Sequence, residues 1–160
     1  MIRRSTLMIC AIAVAIGPLG DAIAQPPSQH TVRAQVAAGT VGSAIAGVGT
    51  YLGVHAVCDE LAEDGPALYC IIYGMGGYAV ALPLGAAAGV RIAASIGDVE
   101  GNTWLSILGA LGGEAGGLLA VRGVGALLDD PGELYFLLAY AGIMPLASGA
   151  GAAWGFNAGT

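Results

Sequence analysis

The strongest constraint in this sequence is a set of four long apolar stretches separated by short polar breaks. They run from about residue 34 to 57, 67 to 94, 103 to 128 and 134 to 156. Each exceeds the roughly 20 residues that an α-helix needs to cross ~30 Å of hydrocarbon. The strict polar/apolar alternation expected for the strands of a membrane barrel is not present. We therefore predict an all-α transmembrane bundle of four helices.

The charge content excludes several classes of protein. Only 10% of the residues are charged and 56% are hydrophobic, whereas about 25% of the residues of a soluble domain are charged. Five arginines and no lysine stand against eleven acidic residues, which gives a formal charge of −6. Because no basic cluster exists to displace counterions from phosphates, we expect no nucleic-acid partner. The expected partner is the lipid bilayer.

The N-terminus has the pattern of a secretory signal peptide. Arg3 and Arg4 precede a short apolar run, Leu7–Leu19, and the small-residue sequence Ala22-Ile23-Ala24 follows. We predict a signal peptide over residues 1–24 and a polar leader over residues 25–33. An uncleaved signal anchor is the alternative. In either case the signal directs the chain to a membrane or across one.

Two parts of the chain resemble each other. The sequence YAVALPLGAAAG begins at Tyr78 and YAGIMPLASGAG begins at Tyr140, with Tyr, Ala, Pro, Leu, Ala and Gly shared in register. The preceding acidic turns, which begin at Glu63 and Asp129, also match. We predict two similar helical hairpins, residues 34–94 and 103–160, joined by a linker over residues 95–102. Chance matching in a chain rich in Gly and Ala is the alternative.

Small residues recur at four-residue spacing along all four stretches. Such spacing lets helix backbones approach closely in lipid, where no hydrophobic force drives helices together. The residues predicted to mediate packing are Gly39, Ser43, Gly47, Gly85, Gly89, Gly109, Gly113, Gly117, Gly125, Gly151 and Gly155. Gly112 and Gly116 form a second stripe on the third stretch, and Gly49 and Gly53 follow on the first.

In these stripes the chain resembles glycine-zipper proteins of bacterial envelopes. The resemblance implies tight helix packing or self-association in a membrane of the cell envelope. The partner of each stripe is then either another span of the same chain or a second copy in a homo-oligomer. It identifies no activity.

Four ionisable residues lie within the apolar stretches: His55, Arg91, Glu114 and Arg122. His55, Arg91 and Arg122 lie near the ends of their stretches, where long side chains reach the interface. Glu114 lies near the middle of the third stretch, where a charge is costly and is read first as functional. It is either a proton or cation site or a buried group paired with Arg, Ser or Thr. We favour the buried pairing role.

No catalytic set, cofactor motif or metal-ligand spacing is visible in the sequence. We expect no enzyme. The leading hypothesis is a small envelope membrane protein with a structural or assembly role through its glycine stripes. The alternative is an oligomeric channel, or an ion or proton pathway, that uses Glu114.

Cys58 and Cys70 flank the first acidic turn, so a disulfide bond between them is plausible if that side of the membrane is oxidising. Counting arginines places the chain termini in the cytoplasm and this turn outside. The signal peptide predicts the opposite orientation, with the turn inside and both thiols reduced. We give the signal peptide more weight than three arginines, and the disulfide stays open.

Overall fold

The computed structural model describes residues 28–61, 67–128 and 132–158, and these parts of the chain are helical apart from short caps and the linker. The elements are α1 (Gln29–Leu61), α2 (Ala67–Ile96), α3 (Thr103–Gly125), α4 (Glu133–Leu138), a π-helical turn (Ala139–Ile143) and α5 (Met144–Asn157). The last three are continuous, and we call them together the fourth span. The predicted signal peptide and the acidic residues Glu63, Asp64, Asp129 and Asp130 lie outside the described residues.

Within the described residues, four helical segments are long and apolar enough to cross a membrane. They are Gln29–Cys58, Tyr69–Ile96, Thr103–Gly125 and Glu133–Asn157, with mean hydropathies of 1.4, 1.7, 1.4 and 1.5. The predicted all-α fold with four membrane-spanning helices is confirmed, and the chain is a membrane protein.

Polar side chains cap the first turns of two helices and so determine where these helices begin. The Asn102 side chain accepts hydrogen bonds from the backbone N–H groups of Trp104 and Leu105, at 2.9 and 3.2 Å, and so caps α3. Ser28 caps α1 in the same way by accepting from the N–H of Thr31 at 3.3 Å. As a result, α1 begins at Gln29, and the second half of the expected polar leader is helical because its polar residues fit a solvated first turn.

The four spans pack as two antiparallel hairpins. α1 packs most extensively on α2, and α3 packs on α5. The hairpins join mainly along α1 and α5, with smaller contacts from α2 to both α5 and α3. Leu82 and Val90 of α2 are fully buried, and Val90 lies in a core cluster with alanines of α2, α3 and α5. α2 and α5 therefore form the centre of the bundle.

Aromatic side chains lie near both ends of the bundle. Trp104 and Trp154 are exposed at the end that holds the linker. Tyr69, Tyr73 and Phe136 are exposed at the opposite end. This distribution is the aromatic belt expected where a protein surface crosses the two membrane–water interfaces.

Candidate functional site: glycine seams and core polar residues

α1 and α2 meet at a contact without intervening side chains, which we call the first seam. A Cβ atom added to Gly42 would lie closer than 3.0 Å to the carbonyl oxygen of Gly85, and the reverse also holds. A Cβ added to Gly89 would meet the carbonyl oxygen of Ala38 in the same way. Only glycine permits this approach, because the neighbouring atoms belong to backbone that has no room to move.

α3 and α5 meet in the same way at the second seam. A Cβ on Gly113 would lie closer than 3.0 Å to the carbonyl oxygen of Ala147, and Cβ atoms on Gly109 and Gly151 would each meet the carbonyl oxygen of the other glycine. Gly155 approaches the carbonyl oxygen of Leu105. Backbone contact thus extends over three turns of α5.

The two seams correspond to each other. Ala147 and Gly151 of the second seam stand at the aligned positions of Gly85 and Gly89. Across the seams, Gly113 takes the place of Gly42: a Cβ on Gly42 would approach the Cα of Gly89, and one on Gly113 would approach the Cα of Gly151. The two hairpins therefore share a packing pattern as well as a sequence pattern.

The hairpins are joined by a third close contact, between α1 and α5. A Cβ on Gly149 would lie 2.5 Å from the backbone nitrogen of Thr40, and one on Gly39 would lie 3.1 Å from the Cα of Gly149. Gly149 was missed by the sequence analysis, because it falls outside the four-residue series of the fourth stretch. Its only sequence signal is the local run of small residues around Ser148.

The remaining predicted packing residues contact side chains. A Cβ on Gly47 would approach the ring of Tyr78 at 3.0 Å, and Ser43, one turn earlier, is fully buried. On α3, a Cβ on Gly117 would lie 3.0 Å from the Cβ of Ala147. Gly125 lies against the hydroxyl of Tyr135.

Four other glycines of these helices face away from the bundle. For Gly49 and Gly53 of α1 and Gly112 and Gly116 of α3, an added Cβ would meet no described atom within 4 Å. All four are exposed. The same spacing therefore occurs on faces that pack and on faces that do not.

Polar side chains are buried along the packed faces, and most were missed by the sequence analysis. Gln35, Ser43, Ser106 and Ser148 are fully buried. Gln35 accepts a hydrogen bond from the Asn157 side chain at 2.7 Å, and Ser106 donates to the carbonyl oxygen of Ala152 at 3.0 Å. Ser43 was predicted, and its spacing could also have found Gln35, since Gln35, Gly39, Ser43 and Gly47 repeat every fourth residue. These bonds tie the N-terminal halves of α1 and α3 to α5.

A tyrosine hydroxyl satisfies a carbonyl that Pro145 leaves unpaired. In the π-helical turn the N–H of Met144 bonds to the carbonyl oxygen of Ala139. The next carbonyl, that of Tyr140, would need the N–H of residue 145, which proline lacks. The Tyr78 hydroxyl donates to this carbonyl instead, and the two tyrosine rings meet edge to face at 6.1 Å. The two aligned tyrosines thus meet at the centre of the bundle.

Glu114 lies on the inner side of α3. Ser106, Ala110, Gly117 and Val121 are the buried residues of this helix, and Glu114 follows Ala110 by one turn. Its side chain is half-buried. No ion pair to Glu114 is found within the described part of the chain. The pairing with an arginine that the sequence left open is therefore not present here.

The other predicted polar residues lie near the ends of the helices. Arg91 is exposed and donates a hydrogen bond to the Thr103 hydroxyl, which links α2 to α3, and Arg122 is exposed. His55 is half-buried, with its ring 4.9 Å from that of Tyr51.

The two cysteines lie at the same end of the bundle, near the end of α1 and the start of α2. Cys58 is half-buried and Cys70 is buried. The disulfide between them stays a prediction.

No group of three or more His, Cys, Asp or Glu side chains that could hold a metal ion occurs among the described residues. Comparison with known proteins found no matching family model, no matching curated protein and no matching solved structure. The functional conclusions therefore depend on this chain's own residues.

Proposed function

We propose that this chain is a small integral membrane protein of a bacterial cell envelope, exported through its N-terminal signal peptide, with a structural or assembly role and no catalytic activity. The observation that supports it is the pair of glycine seams. Each brings two helix backbones into contact, which favours a rigid bundle over one with a mobile interior.

The oligomeric channel is less well supported. A pore between copies would be lined by outward-facing polar groups, but Glu114 lies on the inner side of α3. The outward face of α3 presents Gly112 and Gly116 together with leucines such as Leu108 and Leu119. That face is suited to lipid or to another apolar helix.

Liposome flux distinguishes the two functions. The purified protein is reconstituted into vesicles that contain a pH-sensitive dye, and a proton or potassium gradient is applied. The structural role predicts leakage equal to that of empty vesicles. Flux from the wild type that disappears in Glu114→Gln would establish the pathway and refute the structural role.

Orientation is tested with an impermeant maleimide on Cys58, using a Cys10→Ser, Cys70→Ser background so that one thiol remains. The signal peptide predicts that Cys58 lies on the inner side of the membrane and reacts only after cells are permeabilised. Labelling in intact cells would reverse this orientation. Repeating the reaction on the Cys10→Ser chain before and after reduction tests the disulfide, because a bonded pair reacts only after reduction.

Self-association is measured by analytical ultracentrifugation in detergent. An oligomer whose mass falls in Gly112→Leu with Gly116→Leu would assign the assembly role to the outward face of α3. A monomer at all concentrations would remove the assembly role and leave the structural one.

A further inference from the structure

Glu114 is the one acidic side chain that the structure describes on the inner side of the bundle at mid-span. It lies near the middle of α3, on the side of that helix defined by the buried residues Ala110 and Gly117. A carboxyl group at this depth is largely removed from water, so its charged form is unfavourable unless a positive charge is close.

No positive charge is close to Glu114 within the described chain. Arg33, Arg91 and Arg122 are all exposed near the ends of their helices, and Arg91 is bound to Thr103. His55 is on α1, whose main contacts in the described part of the chain are with α2 and α5. The charged form of Glu114 therefore has nothing to balance it.

No titratable group described near mid-span on the helices packed against α3 carries a positive charge. On α2 the relevant titratable group is Tyr78, whose hydroxyl proton is committed to the Tyr140 carbonyl oxygen. On the fourth span the titratable groups are Tyr140 and Tyr135, and the Tyr135 hydroxyl donates to the carbonyl oxygen of Val121.

The aligned position in the first hairpin supports the same conclusion. Because Gly42 and Gly113 correspond across the two seams, Glu114 stands where α1 has Ser43. Ser43 is neutral and fully buried. The bundle therefore accepts an uncharged polar group at this point in one hairpin and has a carboxyl in the other.

From this geometry we propose that Glu114 is a proton-binding site within the membrane-spanning bundle. The carboxyl is neutral in the folded protein at neutral pH and exchanges its proton reversibly with water. The ligand is a proton and not a metal cation. Hard cations take about six oxygen ligands, whereas this site offers a single carboxyl group among apolar helices.

Carbodiimide labelling tests the charge state. Dicyclohexylcarbodiimide partitions into lipid and reacts with protonated carboxyl groups, so the vesicle-reconstituted protein should be modified at Glu114, as located by peptide mass spectrometry. Labelling should fall by about tenfold for each pH unit above the midpoint of ionisation. Glu133, which is exposed at the start of the fourth span, is the internal control and should react with a water-soluble carbodiimide instead.

A pH series of thermal unfolding provides a second, independent measurement. A group that is neutral in the fold and ionised when unfolded stabilises the fold at low pH, and this contribution disappears as pH rises through its ionisation in the fold. The melting temperature of the wild type should therefore fall relative to that of Glu114→Gln as pH rises. An unlabelled Glu114 at neutral pH, or a constant difference between the two proteins at every pH, would overturn the proposal. If the glutamine variant does not fold, the labelling result alone decides.

Discussion

The two glycine faces of α3 show what separates a packed stripe from an unpacked one. Gly109 and Gly113 lie against the backbone of α5, whereas Gly112 and Gly116 meet no described neighbour. Both pairs have the same four-residue spacing and differ by about 100° of rotation around the helix axis. Four-residue spacing of glycine creates a helix face without side chains. The position of the partner helix determines which of these faces is packed.

The largest effect is expected from leucine on the packed face. In Gly113→Leu with Gly117→Leu, the new side chains enter space held by the backbone of Ala147 and the side chain of Met144. Overpacking costs about 1–3 kcal/mol per site even where side chains can shift, and here the obstruction at Gly113 is backbone. We expect a loss of several kcal/mol, measured by denaturant titration in detergent micelles.

The matched control is Gly112→Leu with Gly116→Leu, which has the same change in volume, helix and composition. Because these positions face no described neighbour, the free energy of unfolding should change little or rise through better helix propensity. Equal destabilisation by the two double variants would show that the seam is not what stabilises the hairpin.

The positions of the helices could be predicted from the sequence, but the contacts between them could not. Hydropathy predicted all four spans, and the start of α3 at Thr103 was correct because Asn102 is a strong capping residue. The hydrogen bond from the Tyr78 hydroxyl to the Tyr140 carbonyl replaces the N–H that Pro145 lacks. It could not be predicted from the sequence, because it depends on which carbonyl the π-helical turn leaves unpaired. Periodicity places residues on helix faces, but the choice of the inner face is a tertiary property.

A smaller change in stability is expected from a substitution that tests the difference between the first and the second seam. Position 85 is glycine in the first hairpin, where the aligned residue of the second hairpin is Ala147. A Cβ on Gly85 would lie 2.5 Å from the Cβ of Ala46, whereas Ala147 faces Gly117. Gly85→Ala should destabilise the protein by about 1–3 kcal/mol.

Ala46→Gly added to Gly85→Ala reproduces the arrangement of the second seam, so it should restore part of the lost stability. The rescue is partial because the carbonyl oxygen of Gly42 still obstructs the new methyl group. A double-mutant cycle measures this coupling, and additive effects would contradict the proposed correspondence of the seams.

Tyr78→Phe tests the bond that joins the two aligned tyrosines. Removal of the hydroxyl leaves the Tyr140 carbonyl without the donor that replaces the missing N–H of Pro145. Hydrogen bonds between membrane helices contribute about 0.6 kcal/mol on average, and an unpaired carbonyl raises the cost toward about 1–2 kcal/mol. Tyr140→Phe is the control, because the Tyr140 carbonyl belongs to the backbone and is retained. An equal loss in both variants would assign the effect to ring packing.

The smallest effect compares two fully buried serines, one on α3 and one on α1. Ser106 of α3 donates to the carbonyl oxygen of Ala152, whereas the Ser43 hydroxyl of α1 has no hydrogen-bond partner among the described residues. Ser106→Ala removes a bond and should cost about 0.5–1 kcal/mol. Ser43→Ala removes a buried polar group that makes no bond and should leave stability unchanged or raise it. Denaturant titration of both variants under one set of conditions measures the difference. If Ser43→Ala proves as costly as Ser106→Ala, the Ser43 hydroxyl has a hydrogen-bond partner in the membrane. A buried water is the natural candidate, because buried waters bond to polar groups that have no protein partner.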